Sequence, residues 1–147
     1  VEETSANKLK ILLCSDTHEA WKNLETLIAE EIAEYDYVFI SGDQANCNNK
    51  IGQAVDGLEN DIAEKSNECF VEKLHTRCKE GGKVIYIPGN HDAEKLFDPD
   101  RAPKIPGSEN IHNGTYELAP GLVVAGLGGS LPTLLREEGE QEFRPVF

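Results

Sequence analysis

The sequence predicts an α/β fold built on a parallel sheet. Leu9 to Leu13, Tyr37 to Ile40 and Lys83 to Ile87 are short, β-prone apolar runs, and stretches of helical period separate them. Each run also leads directly into a polar cluster: Asp16-Thr17-His18, Gly42-Asp43 and Gly89-Asn90-His91-Asp92. A strand, helix, strand, helix, strand order in one sheet calls for right-handed crossovers and parallel strands. All three clusters then emerge at the carboxyl ends of neighbouring strands, where open α/β sheets place their ligand sites.

The individual elements follow from local pattern. Trp21, Leu24, Leu27, Ile28 and Ile32 recur at three- and four-residue steps with Glu25, Glu30, Glu31 and Glu34 between them, which predicts an amphipathic helix on the sheet. The asparagine-rich run Gln44 to Asn49 reads as a loop beside the site. Val55, Leu58, Ile62, Cys69, Phe70, Leu74 and Cys78 mark a long second helix, expected to end at Gly81-Gly82, where glycine supplies a left-handed terminus. Beyond the third strand, Pro99, Pro103, Pro106 and Gly107 break the chain into a surface loop. Thr115 to Leu118 and Leu122 to Leu127 predict an antiparallel hairpin around Ala119-Pro120-Gly121. Residues 136–147, polar and without a clear period, read as a mobile tail or interrupted loop.

Composition narrows the function. With 39% apolar and 28% charged residues over 147 positions, the chain suits one soluble domain, and no apolar run approaches the roughly 18 residues of a membrane span. The polar start, with Glu2 and Glu3, suits neither a secretory signal nor a transit peptide, so a cytoplasmic location is the default expectation. A net charge of -13 repels nucleic-acid backbones and anionic lipid, which argues against non-specific binding to either. Cations held in a cleft can reverse that field locally, so a phosphorylated small molecule stays open as substrate. Cys14, Cys47, Cys69 and Cys78 include no CxxC pair and read as reduced structural residues, with Cys14 a small core residue rather than a catalytic thiol. The chain holds no methionine, even at position 1, and is expected to be a piece of a longer product.

The clusters carry the donor types that phosphoryl transfer needs. Two divalent ions about 3.5 to 4 Å apart neutralise a phosphoryl group and bring a bridging water to a pKa near 7. Alternation along an extended Asp16-Thr17-His18 puts both outer side chains on one side, where they can grip one ion. Asp43 offers an oxygen to each ion, and Asn90 adds a neutral amide oxygen to the second. His91 suits proton or hydrogen-bond donation to the leaving oxygen, with Asp92 holding its tautomer. His75, on the second helix, reads as a partly exposed helix residue. His112, in Asn110-Ile111-His112-Asn113-Gly114, reads as part of a surface turn, and Gly128-Gly129-Ser130 as a strand-to-loop turn.

From Leu9 to Pro132 these motifs resemble the calcineurin-like metallophosphoesterase superfamily, whose pattern runs DxH, then GD, then GNHD or GNHE. The resemblance implies a sandwich of two mixed sheets flanked by helices, a dinuclear centre of manganese, iron or zinc, Asp43 as bridging ligand and His91 in contact with the phosphate. The activity it implies is hydrolysis of a phosphate monoester or diester by a hydroxide bridging the ions. The chain departs from the protein serine/threonine phosphatases, which resemble GDxVDRG and GNHE, because it continues Gly42-Asp43-Gln44-Ala45-Asn46 and ends the third motif in Asp92. Family members also carry later histidines, whereas only His112 follows His91 here. The expectation is therefore a single domain over residues 1–147 that represents the N-terminal portion of the fold. The alternative is a non-catalytic scaffold or complex subunit, similar to the phosphoesterase-like subunit of retromer. Retention of Asp16, His18, Asp43, Asn90, His91 and Asp92 favours chemistry, since a scaffold needs no such convergence of donors.

Overall fold

The β-branched and aromatic runs of the sequence form the middle of a four-stranded parallel sheet. The computed structural model describes residues 8–30, 34–46, 57–129, 134–137 and 140–143. Its elements are β1 (Ile11–Cys14), α1 (Trp21–Glu30), β2 (Tyr35–Ile40), α2 (Gly57–His75), β3 (Cys78–Tyr86), a 3-10 turn (Glu94–Phe97), β4 (Ser108–Asn110), β5 (Gly114–Ala119), β6 (Leu122–Gly126), β7 (Leu134–Glu137) and β8 (Glu140–Phe143). Strands β1 to β4 pair in sequence order, all parallel. β5 and β6 form the antiparallel hairpin that the sequence predicts, turning at Gly121 with φ +80°.

A sheet wound in one direction by right-handed crossovers receives its helices on one face. The core reflects this: Leu24 of α1 and Phe70, Val71 and Leu74 of α2 bury against Val38, Ile40, Val84 and Tyr86. Tyr86 is so enclosed that burial pushes its phenol up to about 12. The opposite face receives the hairpin. There the Tyr37 hydroxyl donates to the Leu118 carbonyl (2.8 Å), and the Tyr37 and Tyr116 rings meet edge-on at 6.2 Å. Among the described residues no helix is long and apolar enough to cross a membrane. Cys14, Cys69 and Cys78 are free thiols.

Three local expectations change. The second helix ends at His75, not at Gly81-Gly82, and Cys78 already pairs with Tyr35 in the sheet. The next pair is Tyr37 with Lys83, so five steps on β3 oppose two on β2. Gly81, at φ +79°, and Gly82, where a Cβ would sit 2.7 Å from the Asp36 carbonyl oxygen, make this bulge. Ile62, expected on the inner stripe of α2, is exposed, and the buried stripe is Ala63, Asn67, Phe70, Val71 and Leu74. Val55 and Ile32 lie outside the described residues. Within residues 136–147, expected as a mobile tail or interrupted loop, Arg136, Glu137 and Glu140–Phe143 belong to β7 and β8, which pair antiparallel from Leu134–Phe143 to Glu137–Glu140; the other residues of that stretch lie outside the described ones. β4 is also new: Ser108-Glu109-Asn110 has little strand preference of its own and becomes a strand because the edge of β3 offers it partners.

Candidate metal centre

Cys14 pairs with Ile40, and Ile40 with Tyr86, so β1, β2 and β3 leave the sheet at the same height. The three loops are then laced together by backbone bonds. The amides of Asp16, His18 and Glu19 donate to the carbonyls of Gly42, Asp43 and Gln44 at 3.1, 2.9 and 2.8 Å, and Ile87 N–H donates to the Ile40 carbonyl at 3.1 Å. Approach is close enough to require glycine at two points. A Cβ on Gly42, already at φ +102°, would lie 2.6 Å from Gly89 N, and one on Gly89 would lie 2.2 Å from the Asp43 carboxylate.

Asp16, His18 and Asp43 converge: one ligand atom from each lies within 4.8 Å of the other two. Two carboxylates and an imidazole are donors that suit a divalent transition metal, whose bonds of about 2.0 to 2.2 Å draw such atoms together. Asp16 and His18 are exposed and Asp43 half-buried, which leaves the cluster open to solvent. The route to this convergence differs from the extended strand expected for Asp16-Thr17-His18. Asp16 (φ 50°), His18 (43°), Glu19 (58°) and Asp43 (55°) all occupy the left-handed region. For residues with a side chain this costs on the order of 1 to 2 kcal/mol each, and the inter-loop bonds offset it. The seryl hydroxyl of Ser15 also donates to the Asp16 carboxylate.

The third loop packs on this cluster. His91 N–H donates to Asp43 Oδ1 (2.8 Å), and the rings of His91 and His18 meet edge-on with centroids 4.9 Å apart. Asn90 and His91 are half-buried at the mouth of the same loops. Asp92 is turned the other way. Where the sequence alone suggests a partner for the His91 ring, the structure gives the two oxygens of Asp92 to other donors. Oδ2 accepts the amides of Asp43 and Gly89, and Oδ1 accepts those of Gln44 and Ala45 together with Asn67 Nδ2, all at 2.8 Å. The carboxylate is fully buried. Burial pushes its pKa above the ordinary carboxylate range, the nearby Asp43 charge adds to the rise, and the bonds from Ala45, Gly89 and Asn67 oppose it. Asn67 and Gln44, both fully buried, are polar residues that the sequence reading passes over. The available signal was the asparagine on the stripe defined by Ala63, Phe70 and Leu74.

His112 falls outside the convergent group. Its Nδ1 accepts Gly128 N–H (2.9 Å), its ring meets Phe97 edge-on at 5.1 Å, and burial holds its pKa below the usual value. The bond ties the loop after β6 to the site, since Gly129 N–H donates to the Pro88 carbonyl at 2.8 Å. A depressed histidine contributes stability above its unfolded pKa of about 6.5 and loses it as pH falls through the lower folded value. Wild type should therefore lose more Tm than His112→Gln between about pH 7.5 and 5, with the Gly128 amide resonance shifting over the same range. Parallel Tm curves for the two proteins would refute this role.

No curated protein and no solved structure matches the chain. A family model, described as calcineurin-like phosphoesterase, matches residues 9–144, the stretch that carries all three strand-end loops. A parallel sheet that delivers two carboxylates and an imidazole to one point, within a match of that extent, makes the chain a member of the calcineurin-like phosphoesterase family.

Proposed function

We propose that the chain hydrolyses a small-molecule phosphate ester, monoester or diester, using two divalent ions. The convergence of Asp16, His18 and Asp43 is the observation that carries this reading, and family membership points the same way. In it, Asp16, His18 and Asp43 hold one ion, while Asp43 and the amide oxygen of Asn90 serve the second. When bound, such ions act as Lewis acids on phosphoryl oxygens and activate water.

The chain's own residues account for the rest. Asp16 and Asp43 place negative charge where cations are wanted, and the neutral imidazole of His18 adds a ligand without further charge. His91 N–H fixes one oxygen of Asp43, so the third loop sets the direction of the carboxylate. The half-buried His91 ring, beside that of His18, gives a proton or hydrogen bond to the departing ester oxygen. Asp92 acts through the backbone it holds and does not touch substrate.

Bis-p-nitrophenyl phosphate, p-nitrophenyl phosphate and cyclic nucleotides, each assayed with manganese, iron and zinc, separate diesterase from monoesterase activity. His91→Ala should lower turnover by about a hundredfold with metal content unchanged, and less for an ester with a very good leaving group. Equal losses on good and poor leaving groups would remove the acid role. Absence of any metal-dependent turnover, with no metal bound, would remove the reading altogether and favour a scaffold.

A further inference from the structure

We propose that Asn67, on α2, is a positioning residue for the metal centre: it clamps the second and third loops to the helix and so fixes the backbone of Asp43. The inference rests on the metal-binding reading above. Asn67 lies on the inner stripe of α2 between Ala63 and Phe70, Val71 and Leu74, and like them it is buried. An amide at such a position costs several kcal/mol of desolvation unless its hydrogen bonds are replaced. Here both ends of the side chain are used, and every described bond goes to the site loops. Nδ2 donates to Asp92 Oδ1 at 2.8 Å and to Gln44 Oε1 at 3.1 Å, and Oδ1 accepts Ala93 N–H at 3.3 Å.

Gln44 directly follows Asp43, and Asp92 and Ala93 directly follow His91, so one side chain grips both loops. The grip passes to the ligands through Asp92, whose other oxygen accepts Asp43 N–H and Gly89 N–H. Asp43 is held in a left-handed conformation that an aspartate does not favour by itself. Removing the Asn67 amide takes one of three donors from Asp92 Oδ1, the one that ties it to α2, and leaves Gln44 Oε1 without its Asn67 donor, so the loops that set the Asp43 backbone lose their hold on the helix. Ser66, its buried neighbour, has a hydroxyl with no hydrogen-bond partner and supplies a matched control.

The test compares wild type, Asn67→Ala, Asn67→Ser and Ser66→Ala by manganese calorimetry and by the visible absorption of bound cobalt, at a temperature where circular dichroism shows each folded. Both Asn67 variants should weaken manganese binding by about 10- to 100-fold and alter the cobalt spectrum, as loss of a group supporting metal ligands does. Ser66→Ala should keep the wild-type Kd and spectrum. A folded Asn67→Ala with lowered Tm but wild-type Kd and spectrum would overturn the proposal and leave only a structural role. If neither Asn67 variant folds, zinc titration of wild type decides: the side-chain amide resonances of Asn67 should move with metal, and unmoved resonances overturn it. Failure of wild type to bind manganese, cobalt or zinc would instead remove the metal-binding reading, and this inference with it.

Discussion

Asp43→Asn should strip the protein of tightly bound metal. Under the proposed reading Asp43 is the one side chain that would serve both ions; it belongs to the convergent group, and its Oδ1 is already oriented by the His91 backbone N–H. Replacing the carboxylate by an amide keeps the shape and removes the charge, so under the proposed two-ion reading the cations would lose the shared charge that offsets their repulsion. Elemental analysis after gel filtration should find less than one ion per chain, and turnover on any responsive ester should fall by about a thousandfold or more. Because Asp43 is half-buried and its amide still reaches Asp92, Tm without metal should change little. Two ions retained by the variant would show that Asp43 is not the shared ligand.

The largest effect on stability is expected at Asp92. In Asp92→Asn one oxygen becomes an NH2 group. If the remaining oxygen stays with Gln44, Ala45 and Asn67, the new NH2 faces the N–H groups of Asp43 and Gly89. Two buried donors then lack an acceptor, at about 1 to 3 kcal/mol each. Against a total stability on the order of 5 to 15 kcal/mol the loss is large, and a drop in Tm of about 10 °C follows for a domain of this size. Asp100→Asn, at an exposed position, should shift Tm by no more than about 1 to 2 °C. Calorimetric melting of the two variants beside wild type checks this. An Asp92→Asn protein as stable as Asp100→Asn would mean that the five bonds around Asp92 do not hold the loops.

What the sequence by itself determined is the set of features that local pattern encodes. The apolar runs at Val38 to Ile40 and Val84 to Tyr86, the helical period through Trp21, Leu24 and Ile28, and the Pro120-Gly121 turn each depend on neighbours a few positions away. Strand-end placement of Asp16, His18, Asp43 and His91 followed from those runs, and the parallel sheet followed from their order. Only the tertiary structure decided how the ends meet. The in-register pairing of Cys14, Ile40 and Tyr86 levels the three loops, and the inter-loop bonds push Asp16, His18 and Asp43 into left-handed backbone that no local preference selects. The same holds for the bulge at Gly81 and Gly82, which depends on the approach of Asp36, and for β4, which exists only along the edge of β3. Asp92 is the clearest case. Beside His91 in the chain it looks like part of the chemistry, yet its carboxylate receives donors from Asp43 to Ala45 and from Asn67, residues 25 to 49 positions away. A buried charge takes whatever donors the fold brings to it, and sequence neighbours do not reveal which those are.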